Sequence, residues 1–209
     1  MTLPYASRCG VLLAGGSSTR FGGRPKGLAR FGEGRVCDGP LGALMATCAQ
    51  VVIACNDADA VRWFPSHRVV RDSEPGRGAL GALETALLAS DAQTVVVCAW
   101  DMPFADPTVL AALAGLVDAG APCGVPVHAD GQLEPLCAAY AAGCRSVATA
   151  LLSRGERAAH ALFDAVRGTT WPIADQLAAC AADRIFLNVN TMADLEQATR
   201  WPLVHGGAS

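Results

Sequence analysis

The densest group of residues able to do chemistry lies in the stretch Gly10–Arg30, where an apolar run gives way to glycines, hydroxyls and cations. Two glycine pairs, Gly15–Gly16 and Gly22–Gly23, leave backbone N–H groups uncovered by any Cβ atom. The stretch also carries the cations Arg20, Arg24 and Lys26. Exposed N–H groups and cations together favour polyphosphate binding, whereas glycines alone are typical of an ordinary turn. A Walker loop is excluded because Lys26 follows a proline.

Two carboxylates follow apolar runs, which predicts that they lie at the ends of strands. Asp101 comes after the uniformly apolar run 94–99 and Trp100. In an open α/β sheet, ligands bind beyond the carboxyl ends of the strands, and a carboxylate there can hold Mg²⁺ together with phosphate oxygens. The alternative for Asp101 is a cap on the next turn. Asp72, after the short run 68–71, is by itself more typical of a turn.

Amides and arginines offer a further set of polar groups in the C-terminal half. The segment 188–191, Asn-Val-Asn-Thr, joins two amides to a predicted helix N-terminus, which suits an anion or a pterin-like heterocycle. The same amides are also suited to satisfying the end of a strand. Arg154 and Arg157 offer charge for an anion, although single arginines are more often solvated.

The segment Gly76–Gly81 matches the dinucleotide pattern Gly-x-Gly-x-x-Gly, with Asp101 about twenty residues further on. That motif should leave a strand directly and belong to the first βαβ unit. Here the segment 72–75 intervenes, and another glycine-rich loop holds the first position. A nicotinamide-dependent oxidoreductase is therefore the less favoured reading of these glycines.

Alternation of apolar runs with helical spacings predicts a three-layer α/β fold with a mostly parallel, Rossmann-like sheet. The predicted strands are 11–14, 51–54, 68–71, 94–99 and 186–189. The predicted helices are 40–48, 81–88, one opened by Asp106-Pro107, two around 147–152 and 162–166, and one begun by a capping box at 191–194. The runs 123–127 and 133–140 flank Asp130-Gly131, which predicts a small antiparallel hairpin facing the substrate.

Length and composition predict one domain in a reducing compartment. The 209 residues, 52% of them hydrophobic, suffice for one sizeable core. A formal net charge of −3 argues against nucleic acid as a partner. Nine cysteines without a Cys-x-x-Cys pair indicate core residues, and the four histidines share no metal-ligand spacing and are predicted to be surface or loop residues. With neither a secretory leader nor a membrane span apparent, we expect a cytoplasmic protein without membrane contact.

Several segments fall in register with the signature of one known family. The match runs through Leu13–Gly16, Arg20, Gly22–Gly23 and Lys26–Leu28, and continues through Asp72, 101–103, 133–136 and 188–191. Through these segments the chain closely resembles nucleotidyltransferases, and among them the molybdenum cofactor guanylyltransferases. The resemblance implies a single nucleotidyltransferase domain over 1–209, with a nucleotide-binding half at 1–120 and an acceptor-binding half at 121–209.

The resemblance also implies a role for each matching residue. Nucleotide contacts would come from Leu13, Ala14, Gly15, Gly16, Lys26, Asn56, Asp72, Gly78 and Asp101. The catalytic groups would be Arg20, Lys26 and Asp101, with Asp101 as the ligand of Mg²⁺. Acceptor contacts would come from Asn188, Asn190, Arg154 and Arg157.

The implied reaction is attack of the molybdopterin phosphate on the α-phosphorus of GTP, which gives molybdopterin guanine dinucleotide and pyrophosphate. Leu-Ala-Gly-Gly at 13–16 and the small residues at 78–82 resemble the guanylyltransferases more than the cytidylyltransferases, and this resemblance implies GTP in preference to CTP. A CTP-dependent transferase for the same acceptor, a sugar-phosphate nucleotidyltransferase and a carrier that binds nucleotide or molybdopterin without turnover are the alternatives. Molybdoenzymes or molybdopterin-delivery proteins are the implied protein partners.

Two features depart from the family pattern. Trp100 stands where the family usually has a small residue or cysteine before the metal-binding aspartate, so the metal geometry or the pocket volume is expected to differ. Residues 34–42 lack the usual Gly-x-Pro-Leu run in clean form. Both departures bear on the base and the acceptor more than on the class of reaction.

Overall fold

A seven-stranded sheet forms the centre of the molecule in the computed structural model, which describes residues 7–15, 21 and 25–201. Its strands are β1 (Arg8–Leu13), β4 (Gln50–Ala54), β5 (Arg68–Val70), β6 (Thr94–Ala99), β7 (Cys123–Val127), β8 (Cys137–Ala141) and β9 (Thr169–Pro172). They lie in the order β5-β4-β1-β6-β8-β7-β9, and β8 runs antiparallel to both of its neighbours. A separate antiparallel pair is formed by β2 (Arg30–Phe31) and β3 (Gly34–Arg35).

Helices cover both faces of the sheet. They are α1 (Asp38–Thr47), α2 (Ala60–Trp63), α3 (Gly78–Leu88), α4 (Pro107–Asp118), α5 (Cys144–Ser153), α6 (His160–Val166), α7 (Ile173–Gln176), α8 (Ala179–Ile185) and α9 (Met192–Arg200), and a 3-10 turn spans Lys26–Leu28. In the part of the chain that the structure describes, no helix is both long and apolar enough to cross a membrane.

The side-chain alternation of the central strands divides the core into two layers. In β1, Leu12 packs with α1 and α4, whereas Val11 and Leu13 pack with α3, α5 and α6. In β6, Val96 and Val97 divide in the same way. Strands buried on both faces are apolar at every position, which is why β6 is the clearest strand in the sequence.

Most of the predicted elements are confirmed. The strands predicted at 11–14, 51–54, 68–71 and 94–99 correspond to β1, β4, β5 and β6 within a few residues. Asp106 caps α4 through Thr108 N, and the Thr191–Asp194 capping box begins α9. The antiparallel pairing between 123–127 and 133–140 also forms, and the structure adds that both strands belong to the main sheet.

One predicted strand is wrong. The apolar segment 186–189 has no ladder partner and is irregular, and the last strand is β9 instead. Its backbone is satisfied differently, because Val189 N donates to the carbonyl oxygen of Asp101 at 2.8 Å. Burial of Val189 in a small cluster with Phe31 and Leu195 explains why the segment is apolar without being a strand.

Helix α1 begins at Asp38, two residues earlier than predicted. Its first turn contains Gly39, which lies in close contact with the loop after β6. A Cβ atom on Gly39 would lie 2.1 Å from the carbonyl oxygen of Pro103. Glycine is disfavoured inside helices, so its presence here reflects the contact and not the helix. Gly42, one turn further along, has nothing within 4 Å of its Cβ position.

We expect Gly39→Ala to destabilise the protein by about 1–3 kcal/mol, because the added methyl group overpacks against a backbone oxygen. Gly42→Ala is the matched control, and there the same change should stabilise by about 0.5–1 kcal/mol through helix propensity. Urea unfolding of both variants measures the two free energies. Equal effects at the two positions would contradict the close contact at Gly39.

The cysteines whose side chains are described are all free thiols buried in the core: Cys9, Cys37, Cys48, Cys55, Cys98, Cys123, Cys137 and Cys144. Burial raises the pKa of Cys37, Cys48 and Cys123 to about 12 and that of Cys144 to about 11. Because the thiolate is the reactive form, these thiols are protected both by their position and by their ionisation.

A Cys180→Ser variant, in which these eight are the remaining cysteines, should therefore react slowly with a disulfide reagent at pH 8. All eight should react at once after unfolding in guanidinium. The measurement is the absorbance of the released thiolate against time. Rapid stoichiometric reaction of the native protein would contradict the buried placement.

Candidate active site

A cavity of about 770 Å³ opens at the carboxyl ends of the parallel strands. The residues after β1, β4, β5 and β6 meet there because parallel strands end at the same edge of a sheet. Of the residues predicted from the sequence, the cavity is lined by Leu13, Gly15, Lys26, Asn56, Asp72, Gly78, Asp101, Asn188 and Asn190. The structure thus brings together groups that are as much as 177 residues apart in the chain, from Leu13 to Asn190.

Lys26, Asp101 and Asn190 form a connected group in the cavity. The Lys26 ammonium donates to Asp101 Oδ2 and, at 2.7 Å, to Asn190 Oδ1. The side chains of Lys26 and Asp101 are only 12% and 10% exposed. Hydrogen bonds between ionised groups gain strength away from water, so this pair is a firm contact.

The backbone around this group is fixed from three directions. The Lys26 turn is held by a hydrogen bond from Cys37 N to Gly27 O at 2.9 Å. Asp101 follows β6 directly, and its carbonyl oxygen accepts the bond from Val189 N. Asn190 N in turn donates to Asp194 Oδ2 at 2.9 Å, beside the capping box of α9. All three functional side chains therefore stand on backbone that is itself hydrogen-bonded.

Asn56 and Asp72 form a reciprocal pair at the ends of β4 and β5. Asn56 Nδ2 donates to Asp72 Oδ2, and Asp72 N donates to Asn56 Oδ1, both at 2.8 Å. Thr85, a buried residue of α3, donates its hydroxyl to Asp72 Oδ1 at 2.7 Å. Sequence reasoning missed Thr85, since a threonine within a helix carries no motif.

The glycine-rich segment 76–81 contributes the beginning of α3 to the cavity. Gly78 has φ +71°, and a Cβ atom there would lie 2.8 Å from Arg157 O, so glycine is required on two grounds. Strand β5 ends at Val70, eight residues before α3 begins. The arrangement lacks the direct strand-to-helix passage that a dinucleotide motif needs.

Glu134 lines the opposite side of the cavity and was also missed as a site residue. The pKa of Glu134 is raised above its usual value, mainly because the side chain is buried. The charge of Asp101 adds to this rise, and the hydrogen bond with His128 opposes it. The Glu134 Oε1 to His128 Nε2 distance is 3.0 Å, so this histidine, which lies in a loop as the sequence allowed, supports the cavity wall. The one sequence signal for Glu134 was its place in the segment 133–136, which contributed to the family resemblance but was given no role in the site.

The remaining predicted residues lie elsewhere. Ala14 is buried in the core beside the cavity, where its N–H donates to Ala54 O at 2.8 Å. Arg154 and Arg157 are exposed residues after α5 and do not line the cavity, although the backbone of Arg157 packs against Gly78. Gly16 and Arg20 lie outside the described residues.

The donors in the cavity suit a metal that is shared with a substrate. In the described ranges, no three His, Cys, Asp or Glu side chains converge as a ready-made metal cage. The Asp101 carboxylate offers hard oxygen at the strand end, and Mg²⁺ characteristically takes one or two carboxylates, with water and phosphate completing its shell. The residues present therefore fit Mg²⁺ that arrives with a nucleotide.

Comparison with known proteins agrees with this geometry. The family model of the MobA-like NTP transferase domain matches residues 10–169. The chain is 35% identical over 197 residues to the probable molybdenum cofactor guanylyltransferase of Chloroflexus aggregans, which covers 90% of this chain and 91% of that protein. It is 29% identical over 192 residues to the molybdenum cofactor guanylyltransferase of Desulfosudis oleivorans, with 90% and 93% covered.

A solved structure shows the same fold along almost the whole chain. The crystal structure of molybdopterin-guanine dinucleotide biosynthesis protein A from Archaeoglobus fulgidus superposes with a TM-score of 0.75 at 25% identity and covers 92% of this chain and 97% of that one. Sequence and structure thus agree on the α/β fold and on the class of enzyme. The chain belongs to the MobA-like NTP transferase family and is a nucleotidyltransferase.

Proposed function

We propose that this protein transfers GMP from GTP to the phosphate of molybdopterin and releases pyrophosphate. The observation that carries the proposal is the Lys26–Asp101–Asn190 group, which lies in the cavity. Asn56 and Asp72 follow β4 and β5 on one side of β6 in the sheet, whereas Glu134 precedes β8 on the other side, and all three line the cavity. Relatives named as molybdenum cofactor guanylyltransferases support the choice of both substrates.

The chain's own residues supply binding, orientation and charge. Nucleotidyl transfer asks a protein mainly for positioning and neutralisation of charge, because the attacking phosphate is already ionised at pH 7. Lys26 is placed to meet the negative charge of the triphosphate, and Asn190 keeps its ammonium directed into the cavity. We assign the role of second cation to Arg20, as predicted from the sequence.

Asp101 is the residue that would hold Mg²⁺, and the bound ion would neutralise phosphate charge in the transition state. This carboxylate is paired with Lys26, which balances its charge in a largely buried position. The pair therefore holds an ammonium group and a carboxylate in the cavity to which this proposal assigns the triphosphate. Lys26 would meet the phosphate oxygens, and Asp101 would meet the metal ion.

The two halves of the chain match the two substrates in this proposal. We assign nucleotide contacts to Leu13, Ala14, Gly15, Gly16, Lys26, Asn56, Asp72, Gly78 and Asp101, and acceptor contacts to Asn188 and Asn190. Arg154 and Arg157 would need to reach the acceptor from outside the cavity. A molybdoenzyme or a delivery protein as the recipient of the product, and a cytoplasmic location, stay predictions.

Pyrophosphate release from GTP and from CTP, in parallel with Mg²⁺ and molybdopterin, tests the reaction and the base. We expect release with GTP, and we expect Asp101→Ala to reduce it by about 100-fold or more, the scale of losing a group that stabilises transition-state charge. Asp91→Ala is the control, because Asp91 is a fully exposed carboxylate before the opposite end of β6.

Each other outcome selects a different function. A preference for CTP would keep the mechanism and replace the base. Binding of GTP without pyrophosphate release would instead indicate a carrier. Equal losses in the Asp101 and Asp91 variants would show that the role assigned to Asp101 is wrong.

Thr85→Val tests the nucleotide end of the cavity. The substitution removes the hydroxyl that orients Asp72, so we expect the KM for GTP to rise by about tenfold with little change in kcat, as for a group that binds ground state and transition state alike. Thr149→Val is the control, because Thr149 donates a similar bond to Glu84 between α5 and α3, away from the cavity lining. A fall in kcat alone would contradict the binding role of Asp72.

A further inference from the structure

The backbone of Gly27 lies directly against the indole ring of Trp100. A Cβ atom on Gly27 would be 2.3 Å from Cδ2 and 2.4 Å from Cε3 of that ring, closer than any real contact. Gly27 is buried, and Trp100 is only 4% exposed. The pair is therefore a tight contact between a bare backbone and a large flat side chain.

Each residue of this contact is the sequence neighbour of one member of the Lys26–Asp101 ion pair. Gly27 follows Lys26, and Trp100 precedes Asp101. The thickness of the indole therefore sets the distance between the two stretches of backbone that carry the ion pair. A smaller residue at position 100 would remove the packing against Gly27 and leave the hydrogen bond from Cys37 N to Gly27 O to hold the Lys26 turn.

Trp100 is held both at its backbone and at its ring. Its backbone N donates to Leu13 O at 3.2 Å, and its indole stacks on Trp63 with an interplanar angle of 26° and 6.5 Å between centroids. In the described structure, Trp100 Nε1 is a buried donor without a hydrogen-bond partner. Since burying an unpaired donor is unfavourable, the indole is explained by its shape and not by its N–H group.

We propose that Trp100 is a positioning residue. Its ring keeps the backbone of the Lys26 turn at the distance from which the Lys26 ammonium can bond to both Asp101 and Asn190. The proposal rests on the proposed function for its kinetic consequences. Trp100 also lines the cavity, and the role proposed for it is exerted through the position of Lys26.

A pair of complementary substitutions tests the spacing. We expect Trp100→Ala to lower kcat for pyrophosphate release by about 10- to 100-fold, because small displacements of catalytic groups are costly. Gly27→Ala should also lower kcat, because its methyl group pushes the turn away from the ring. Combining the two should raise kcat several-fold above either single variant, since the methyl group then enters space that the indole has left.

Two further variants separate positioning from general packing. Trp100→Phe keeps an aromatic plane beneath Gly27 and should retain most of the activity. Trp63→Ala removes the stacking partner but leaves the indole of Trp100 against Gly27, so it should lower Tm and reduce kcat much less than Trp100→Ala does. If Trp100→Ala does not fold, Gly27→Ala and Trp100→Phe carry the same test.

A readout independent of turnover exists because Lys26 is the only lysine in the sequence. Protein labelled with ¹³C at the lysine ε carbon should give one side-chain resonance, which should shift in Gly27→Ala, a variant that keeps the indole ring and its ring current. Absence of GTP turnover in the wild type would overturn the proposed function and leave this test intact. An unchanged lysine signal in Gly27→Ala, or a double variant no better than the worse single one, would overturn the positioning role of Trp100.

Discussion

The ion pair between Lys26 and Asp101 is the interaction on which the site depends. Two charges at roughly one-tenth exposure lose much of their hydration, and among the described residues their mutual contact and the Asn190 amide offset that loss. Breaking the pair by removing one partner would leave the other charge largely buried and uncompensated. The Lys26 turn, the end of β6 and the segment before α9 are therefore energetically linked, although they are distant in sequence.

The sheet explains how the rest of the cavity assembles around that pair. Gly15, Asn56, Asp72 and Asp101 all follow parallel strands, and so they reach the same edge. Glu134 lies at the same edge although it precedes a strand and does not follow one. Because β8 is antiparallel to β6, the residues before β8 lie where the parallel strands end. One reversed strand thus brings the Glu134 carboxylate to the edge of the sheet at which Asn56, Asp72 and Asp101 lie.

That reversal also marks the limit of what the sequence could predict. The strand-end rule found Asp101, and the glycine and cation pattern found Lys26, because both signals are local. Glu134 follows no predicted strand, and its role depends on the direction in which β8 runs. Residues 186–189 were wrongly predicted as a strand because burial against Phe31 and Leu195 and strand pairing produce the same apolar pattern. The contact between Gly27 and Trp100 joins residues 73 positions apart and has no local signature at all.

The choice between purine and pyrimidine can be localised further by separating backbone from pocket. Gly78 is small because its φ and its approach to Arg157 O require glycine, whatever base is bound, so it says nothing about specificity. Ala79 and Ala82 have helical backbone, so no special φ value dictates their size, and both line the cavity while packing against the core beside it. In the proposed reaction, the choice of base would depend on these two alanines. Larger side chains at these positions would narrow the cavity along α3, which would disfavour a purine more than a pyrimidine.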